Sequence, residues 1–128
     1  MKKTKILVVD DDENLTLLIE ARLQATDYDV RIANSASAAY RTYLSFKPRL
    51  IIADIGIGDE NGLDLMRRIR RKSGSVKTIY MTGDPERYRS ALAQERKLYH
   101  AEVLAKPFED NKLIDMVSAQ AHGYHKAA

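Results

Sequence analysis

The period of apolar and polar positions changes repeatedly along the chain, and each change marks an element. Lys5–Val9 is a nearly unbroken apolar run, the pattern of a strand buried on both faces. Leu15, Leu18, Ile19 and Leu23 then recur at helical spacing, behind Asp12 or Asn14 as N-cap. Tyr28–Ala33 alternates as a shorter strand. Ser35 or Ser37 caps a second helix carrying Ala39, Tyr40, Tyr43 and Leu44, which Pro48 stops. Leu50–Ala53 is a third buried strand and ends at Asp54. A glycine-rich loop, Gly56–Gly62, leads to a helix with Leu63, Leu65, Met66 and Ile69. Val76–Met81 is a fourth strand, and Pro85 sits where a fourth helix is expected to begin. Ala101–Ala105 is a fifth strand, and Leu113, Ile114 and Val117 mark a fifth helix. The apolar period is lost after Val117, so 119–128 reads as a frayed end, with a domain over 1–121 and a tail over 122–128. Strands alternating with helices predict an α/β fold with a parallel sheet and right-handed crossovers.

Composition narrows the chemistry. A chain of 128 residues suits one domain, and its three Pro and six Gly form no linker. With no cysteine, disulfide scaffolds, thiolate metal sites and thiol nucleophiles are excluded. The longest apolar runs are strand-sized, well short of the roughly 20 residues of a spanning helix. The start Met1-Lys2-Lys3 runs into Asp10-Asp11-Asp12-Glu13 too soon for a signal peptide. No membrane partner and a cytoplasmic location are the expectation.

In parallel α/β sheets the site lies beyond the carboxyl ends of the strands. There the first strand delivers Asp10-Asp11-Asp12, the third Asp54, the fourth Thr82-Gly83 and the fifth Lys106-Pro107. Clustered carboxylates repel, each raising its neighbour's pKa, and a hard divalent cation removes that cost. Mg²⁺ suits a site offering a few carboxylates and room for water. A carboxylate can attack a phosphoryl group to give an acyl phosphate, while a metal and a Lys neutralise the phosphoryl oxygens and a hydroxyl donates to one. Asp54, at the tip of a buried strand, is the natural nucleophile. Each feature has a plainer reading. The acids cap a helix, Asp12 most of all; Asp54 and Thr82 sit in turns; Lys106 is solvated.

Four segments in order resemble the receiver domain of two-component response regulators: Ile6–Asp12, Ile51–Asp54, Met81-Thr82-Gly83 and Lys106-Pro107-Phe108. The resemblance runs from about Lys5 to Val117. It implies a CheY-like, flavodoxin-like (βα)5 three-layer sandwich with strand order 2-1-3-4-5. It implies Asp54 as phosphoacceptor; Asp11, Asp10, Asp54 and the Gly56 backbone carbonyl around Mg²⁺; Thr82 bonded to the phosphoryl group; Lys106 paired with it; and a cis Lys106–Pro107 bond. The implied partners are a sensor histidine kinase or histidine phosphotransfer protein, and a downstream effector or output domain. A homodimer through the fourth helix, fifth strand and fifth helix is a further possibility. The implied role is a phospho-switch that assists its own phosphorylation and hydrolysis, not a turnover enzyme.

Three features depart from the family pattern. The usual Met-Pro after the phosphoacceptor is absent, and Gly56 and Gly58 are expected to loosen the loop. Val103 stands where an aromatic switch residue is common. Tyr99-His100-Ala101 replaces a Gly-Ala turn. Gly56 and Asp84, each two residues beyond a site residue, are expected to set the lifetime of the acyl phosphate. Rival readings fare less well. An aspartyl phosphatase wants an acid where Gly56 stands. A nucleotide-binding domain wants a glycine-rich first turn where this one is acidic. A degenerate receiver acting as a phosphorylation-independent interaction module is the main alternative. His100, His122 and His125 show no metal spacing with the acids.

The net charge of +3 hides a polarity. Acids gather at the predicted site edge. Arg67, Arg68, Arg70, Arg71, Lys72 and Lys77 crowd the third helix and its exit, and Arg87, Arg89, Arg96 and Lys97 the fourth. This is a solvated face or a dock for an acidic partner. No helix-turn-helix segment supports direct nucleic-acid contact.

Overall fold

The computed structural model describes residues 2–122. Its elements run β1 (Lys5–Val9), α1 (Glu13–Gln24), β2 (Asp29–Ala33), α2 (Ala36–Phe46), β3 (Leu50–Asp54), β4 (Gly56–Ile57), β5 (Glu60–Asn61), α3 (Gly62–Arg70), β6 (Lys77–Thr82), α4 (Arg89–Tyr99), β7 (Glu102–Ala105) and α5 (Asp110–Ala121). The main sheet has the order β2-β1-β3-β6-β7, with every pairing parallel. Setting aside the short β4–β5 hairpin, this is the expected 2-1-3-4-5 flavodoxin-like order.

Alternation along the strands builds two cores. Leu7, Val9, Ile51, Ala53 and Tyr80 face α2, α3 and α4. Ile6, Val8, Leu50, Ile52, Ile79 and Met81 face α1 and α5. Strands covered on both faces explain the continuous apolar runs. The three-layer arrangement leaves the carboxyl edge of the sheet open, which is where the polar residues collect.

Local chemistry sets the helix starts. Asp12 caps α1 by accepting from the Leu15 amide, and Ser35 caps α2 by accepting from Ala38. The αL residue Lys47 ends α2 just before Pro48.

The structure corrects four expectations. First, Leu18 and Leu44 are exposed. The buried stripe of α1 is Thr16, Ile19 and Leu23, because Asn34 and the Glu13 carbonyl satisfy the Thr16 hydroxyl and let it point inward. On α2 the stripe is Ala36, Ala39, Tyr43 and Phe46, which leaves Leu44 outside it. Second, Pro85 opens a turn, not the helix: the Tyr88 amide donates to the Pro85 carbonyl, Asp84 accepts from the Arg87 amide, and α4 starts at Arg89. Arg87 therefore precedes α4. Third, residues 119–121 are not frayed: α5 continues to Ala121, with Gln120 and Ala121 buried. The period is lost because Gln120 is a polar core residue, its amide donating to the Thr78 and His100 carbonyls. His122 is the C-cap of α5; the rest of the expected tail, 123–128, lies outside the described residues. Fourth, the glycine-rich segment is folded. Gly56 and Ile57 pair antiparallel with Asn61 and Glu60, Ile57 is buried, and Gly58 takes the left-handed turn at φ 58°.

Candidate functional site

The five strand ends bring one polar group after another to the open edge. The most buried is Asp10, 1% exposed, immediately after β1. Its Oδ1 accepts from the Asp12 amide at 3.0 Å and its Oδ2 from Lys106 Nζ at 2.7 Å. The Asp10 amide donates to Ala33 and its carbonyl accepts from the Asn34 side chain, so β2 clamps the same residue from the other side. Asp11 is exposed, and its carboxylate accepts from the Gly58 amide at 3.2 Å, tying the β4–β5 hairpin to the acidic turn. Asp54 ends β3. Its Oδ1 lies 3.3 Å from Lys106 Nζ.

One carboxylate oxygen from each of Asp10, Asp11 and Asp54 falls within a mutual spacing of 4.8 Å. Three hard oxygen donors so close fit a hard divalent cation of the Mg²⁺ type. The electrostatics point the same way. Burial, then the neighbouring Asp10, raise the pKa of Asp54, and Lys106 opposes them. Burial works against the charge of Lys106, but its hydrogen bond to Asp10 and the charges of Asp10 and Asp54 outweigh it and raise its pKa. Lys106 is thus the ammonium counter-ion of both buried acids.

Positioning follows from backbone geometry. Asp54 is in register with Met81, and Thr82 with Ala105, so the acid, hydroxyl and Lys-bearing segments are laid side by side. The Lys106 amide donates to the Thr82 carbonyl at 2.8 Å, and the Lys106–Pro107 bond is cis. Thr82 is buried, and its Oγ accepts from the Asp84 amide at 3.0 Å. The Gly62 amide donates to the Ile55 carbonyl at 2.8 Å. A Cβ at Gly62 would stand 2.3 Å from the Asp54 carbonyl oxygen, so only glycine lets α3 start this close to the acid. Gly56 is exposed at the start of the hairpin.

Asp10, Asp11, Asp54 and Lys106 are therefore brought together, with Thr82 on the adjoining strand. Sequence reasoning missed Asn34, the polar residue directly after β2, which the strand-end rule could have flagged. It also missed a buried polar group below Thr82. Arg70 Nη1 and the Tyr80 hydroxyl each donate to Glu95 Oε1 at 2.6 Å, and Arg70 Nη2 reaches the Thr78 hydroxyl. Burial first, and then the hydrogen bond to Glu95, push the Tyr80 hydroxyl well above its usual pKa.

Comparison with known proteins agrees with this arrangement. The response regulator receiver domain family matches residues 6–118. The chain is 32% identical over 117 residues to the DNA-binding transcriptional regulator NtrC of Azospirillum brasilense, covering 91% of this chain and 24% of that one. It is 28% identical over 115 residues to the alkaline phosphatase synthesis transcriptional regulatory protein PhoP of Bacillus subtilis, covering 90% of this chain and 47% of that one. The chain thus spans from about a quarter to about half the length of these relatives. Among solved structures, the non-phosphorylated HemR receiver domain of Leptospira biflexa superposes with a TM-score of 0.84 at 27% identity, covering 93% of this chain and 94% of that one. With the family matching residues 6–118 and the strands forming a five-stranded parallel sheet, this chain belongs to the response regulator receiver domain family.

Proposed function

We propose that Asp54 accepts a phosphoryl group from a histidine kinase or histidine phosphotransfer protein, and that the resulting acyl phosphate switches the surface that an effector or output domain reads. The observation that carries this reading is Lys106 shared between Asp10 and Asp54, beside carboxylates spaced for one cation. An Asp54 carboxylate oxygen attacks phosphorus, the phosphorus–nitrogen bond of a phosphohistidine breaks, and the imidazole leaves with the electron pair. Asp10, Asp11, Asp54 and the Gly56 carbonyl would hold Mg²⁺. When bound, the metal neutralises the acids and the phosphoryl oxygens. Lys106 pairs with the incoming phosphoryl charge, and the Thr82 hydroxyl donates to one of its oxygens. Asp10 stays buried and keeps Lys106 aimed at the site.

In this reading the domain is a switch and not a turnover enzyme. No described helix is long and apolar enough to cross a membrane, which fits action in the cytoplasm. A homodimer through α4, β7 and α5 is one way the signal could be read. The complete set of acids, Thr and Lys weighs against a degenerate module.

The test is direct. Incubation with phosphoramidate or acetyl phosphate and Mg²⁺ is expected to add one phosphoryl group by intact mass. The adduct is expected to be absent in Asp54→Asn and when Mg²⁺ is chelated. An adduct that persists in Asp54→Asn, or none with either donor or with a phosphorylated histidine kinase, overturns the reading.

A further inference from the structure

The opposite edge of the sheet holds a second concentration of charge. There, between the C-terminal ends of α2 and α3, opens a cleft of about 750 Å³. Arg49, just before β3, and Lys77, the first residue of β6, floor it from the sheet; Lys47 and Lys72 stand on the two helix exits. The hydroxyls of Ser73 and Ser75, hydrogen-bonded to one another at 3.1 Å, add to the polar lining, and Tyr43 lines the cleft as well. Among the described residues, no carboxylate lines the cleft. Among the described residues, none of the four cations forms an ion pair. Arg49 is committed elsewhere: its Nε donates to the carbonyl of Ala121 at the end of α5, which does not line the cleft.

The simplest account of cations at helix exits is that they offset the helix dipoles. The magnitudes do not support it here. Arg49 serves the end of α5, and each helix end contributes about half a negative charge, so α2 and α3 together offset about one of the three remaining lysines. The remaining positive charges line one concavity with no acid among them. An anion bound there would gain from all of them and relieve their mutual repulsion. Leu44, which the fold leaves exposed, and the buried Val76 give the same cleft an apolar side.

We propose that this cleft binds a small anion carrying two or more linked phosphoryl groups. Lys47, Lys72 and Lys77 neutralise it, and the Ser73 and Ser75 hydroxyls donate to its oxygens. The shared chemistry is a diphosphate or triphosphate, free or attached to a nucleoside whose base would lie on the Leu44 side. Arg49 and Asp54 lie at opposite ends of β3, so this site is separate from the phosphoacceptor and does not depend on its chemistry.

Titration of metal-free protein with pyrophosphate, and separately with ADP, followed by amide NMR, tests this. Saturable shifts are expected at Lys47, at Lys72 through Ser75 and at Lys77, without matching shifts at Asp10 or Asp54. Lys72→Gln and Lys77→Gln are each expected to weaken binding by about tenfold, the worth of one charge-assisted hydrogen bond. Lys97→Gln, an exposed change on α4, is expected to leave it unchanged. Added salt is expected to weaken it. Tighter binding of ADP than of pyrophosphate assigns the nucleoside form, and equal binding the free polyphosphate. The absence of saturable shifts with either probe at millimolar concentration overturns the proposal. So does binding that Lys72→Gln and Lys77→Gln leave intact, or that Lys97→Gln weakens equally.

Discussion

Replacing Glu95 with Ala removes the acceptor at the centre of the most buried ion pair outside the acidic site. The Arg70 and Glu95 side chains are 7% and 10% exposed, 2.6 Å apart. In the variant Arg70 keeps only a 3.3 Å bond to the Thr78 hydroxyl and its stacking on the Tyr99 ring, and the Tyr80 hydroxyl loses its acceptor. Arg70 Nε already lacks a hydrogen-bond partner. Removing one member of a buried pair costs about 3–5 kcal/mol, chiefly by leaving the other charge uncompensated. For a domain of this length that corresponds to a fall in Tm of roughly 10–20 °C. Glu95→Gln keeps an acceptor but loses the charge and is expected to cost about 1.5–3 kcal/mol. The double variant Arg70→Met, Glu95→Leu removes both charges and is expected to be more stable than Glu95→Ala, because apolar side chains can replace a buried pair at little cost. Urea denaturation of the four proteins measures all of this. A loss below about 1 kcal/mol in Glu95→Ala, or a double variant no better than the single one, would refute the reasoning.

Three further outcomes follow from the site. Gly62→Ala is expected to cost about 1–3 kcal/mol in denaturation and to slow phosphorylation, because its Cβ meets the Asp54 carbonyl oxygen at 2.3 Å; wild-type stability and rate would contradict it. Asp54→Asn, in metal-free buffer, is expected to raise Tm at neutral pH. Burial and Asp10 raise the folded pKa of Asp54, so its contribution to stability is full below the usual aspartate value and is lost as pH rises through the folded one. The advantage of Asn must therefore shrink on acidification toward the usual aspartate pKa, and thermal scans showing a constant advantage would exclude this cause. Gly56→Asn has open space around its new Cβ, and Asp84→Ala removes a charge and the acceptor for the Arg87 amide; timed dephosphorylation is expected to change in at least one of them, and unchanged rates in both would refute a role in the lifetime.

The main sheet was legible because its strands are buried on both faces, and Ile6–Val9 or Leu50–Ala53 leave little other reading. The acids and Lys106 were legible because strand ends are fixed once strands are. What could not be read came from side chains that satisfy each other. Thr16 points inward only because Asn34 meets it, and Gln120 is buried only because two carbonyls accept its amide protons. A hydrophobicity pattern scores both as surface. The same holds for Arg70 and Glu95, which look like solvated charges until α3, α4 and β6 bring them together. The hairpin at Gly56–Asn61 was hidden for another reason: its order depends on Ile57 finding the core and on Gly58 adopting φ 58°, neither of which a count of glycines reveals.

If Asp54 is the acceptor as proposed, the buried pair also limits how its phosphoryl group moves the surface. Thr78, Tyr80 and Thr82 alternate onto one face of β6, so the site hydroxyl and the Glu95 anchor share a strand face. A Thr82 hydroxyl oxygen drawn toward a phosphoryl group lengthens the bond it accepts from the Asp84 amide, and so weakens one restraint on the turn before α4. That end of α4 lacks a side-chain N-cap and is held by packing: Leu92 is buried in its first turn, with Tyr88 and Ala91 against the same core. A charge-assisted hydrogen bond to the phosphoryl group contributes about 1.5–3 kcal/mol, less than the 3–5 kcal/mol needed to break Glu95 from Arg70. The favoured motion is therefore a small shift of the Arg89 end, limited by the packing of Leu92, with Glu95 and the Tyr99 end held. Hydrogen exchange on the phosphorylated protein is expected to quicken at the amides of the Pro85–Tyr88 turn and the first turn of α4, and not near Arg96. Uniform loosening of the helix would mean that the pair breaks, and that the aromatic position taken by Val103 is not replaced by a fixed anchor at Glu95.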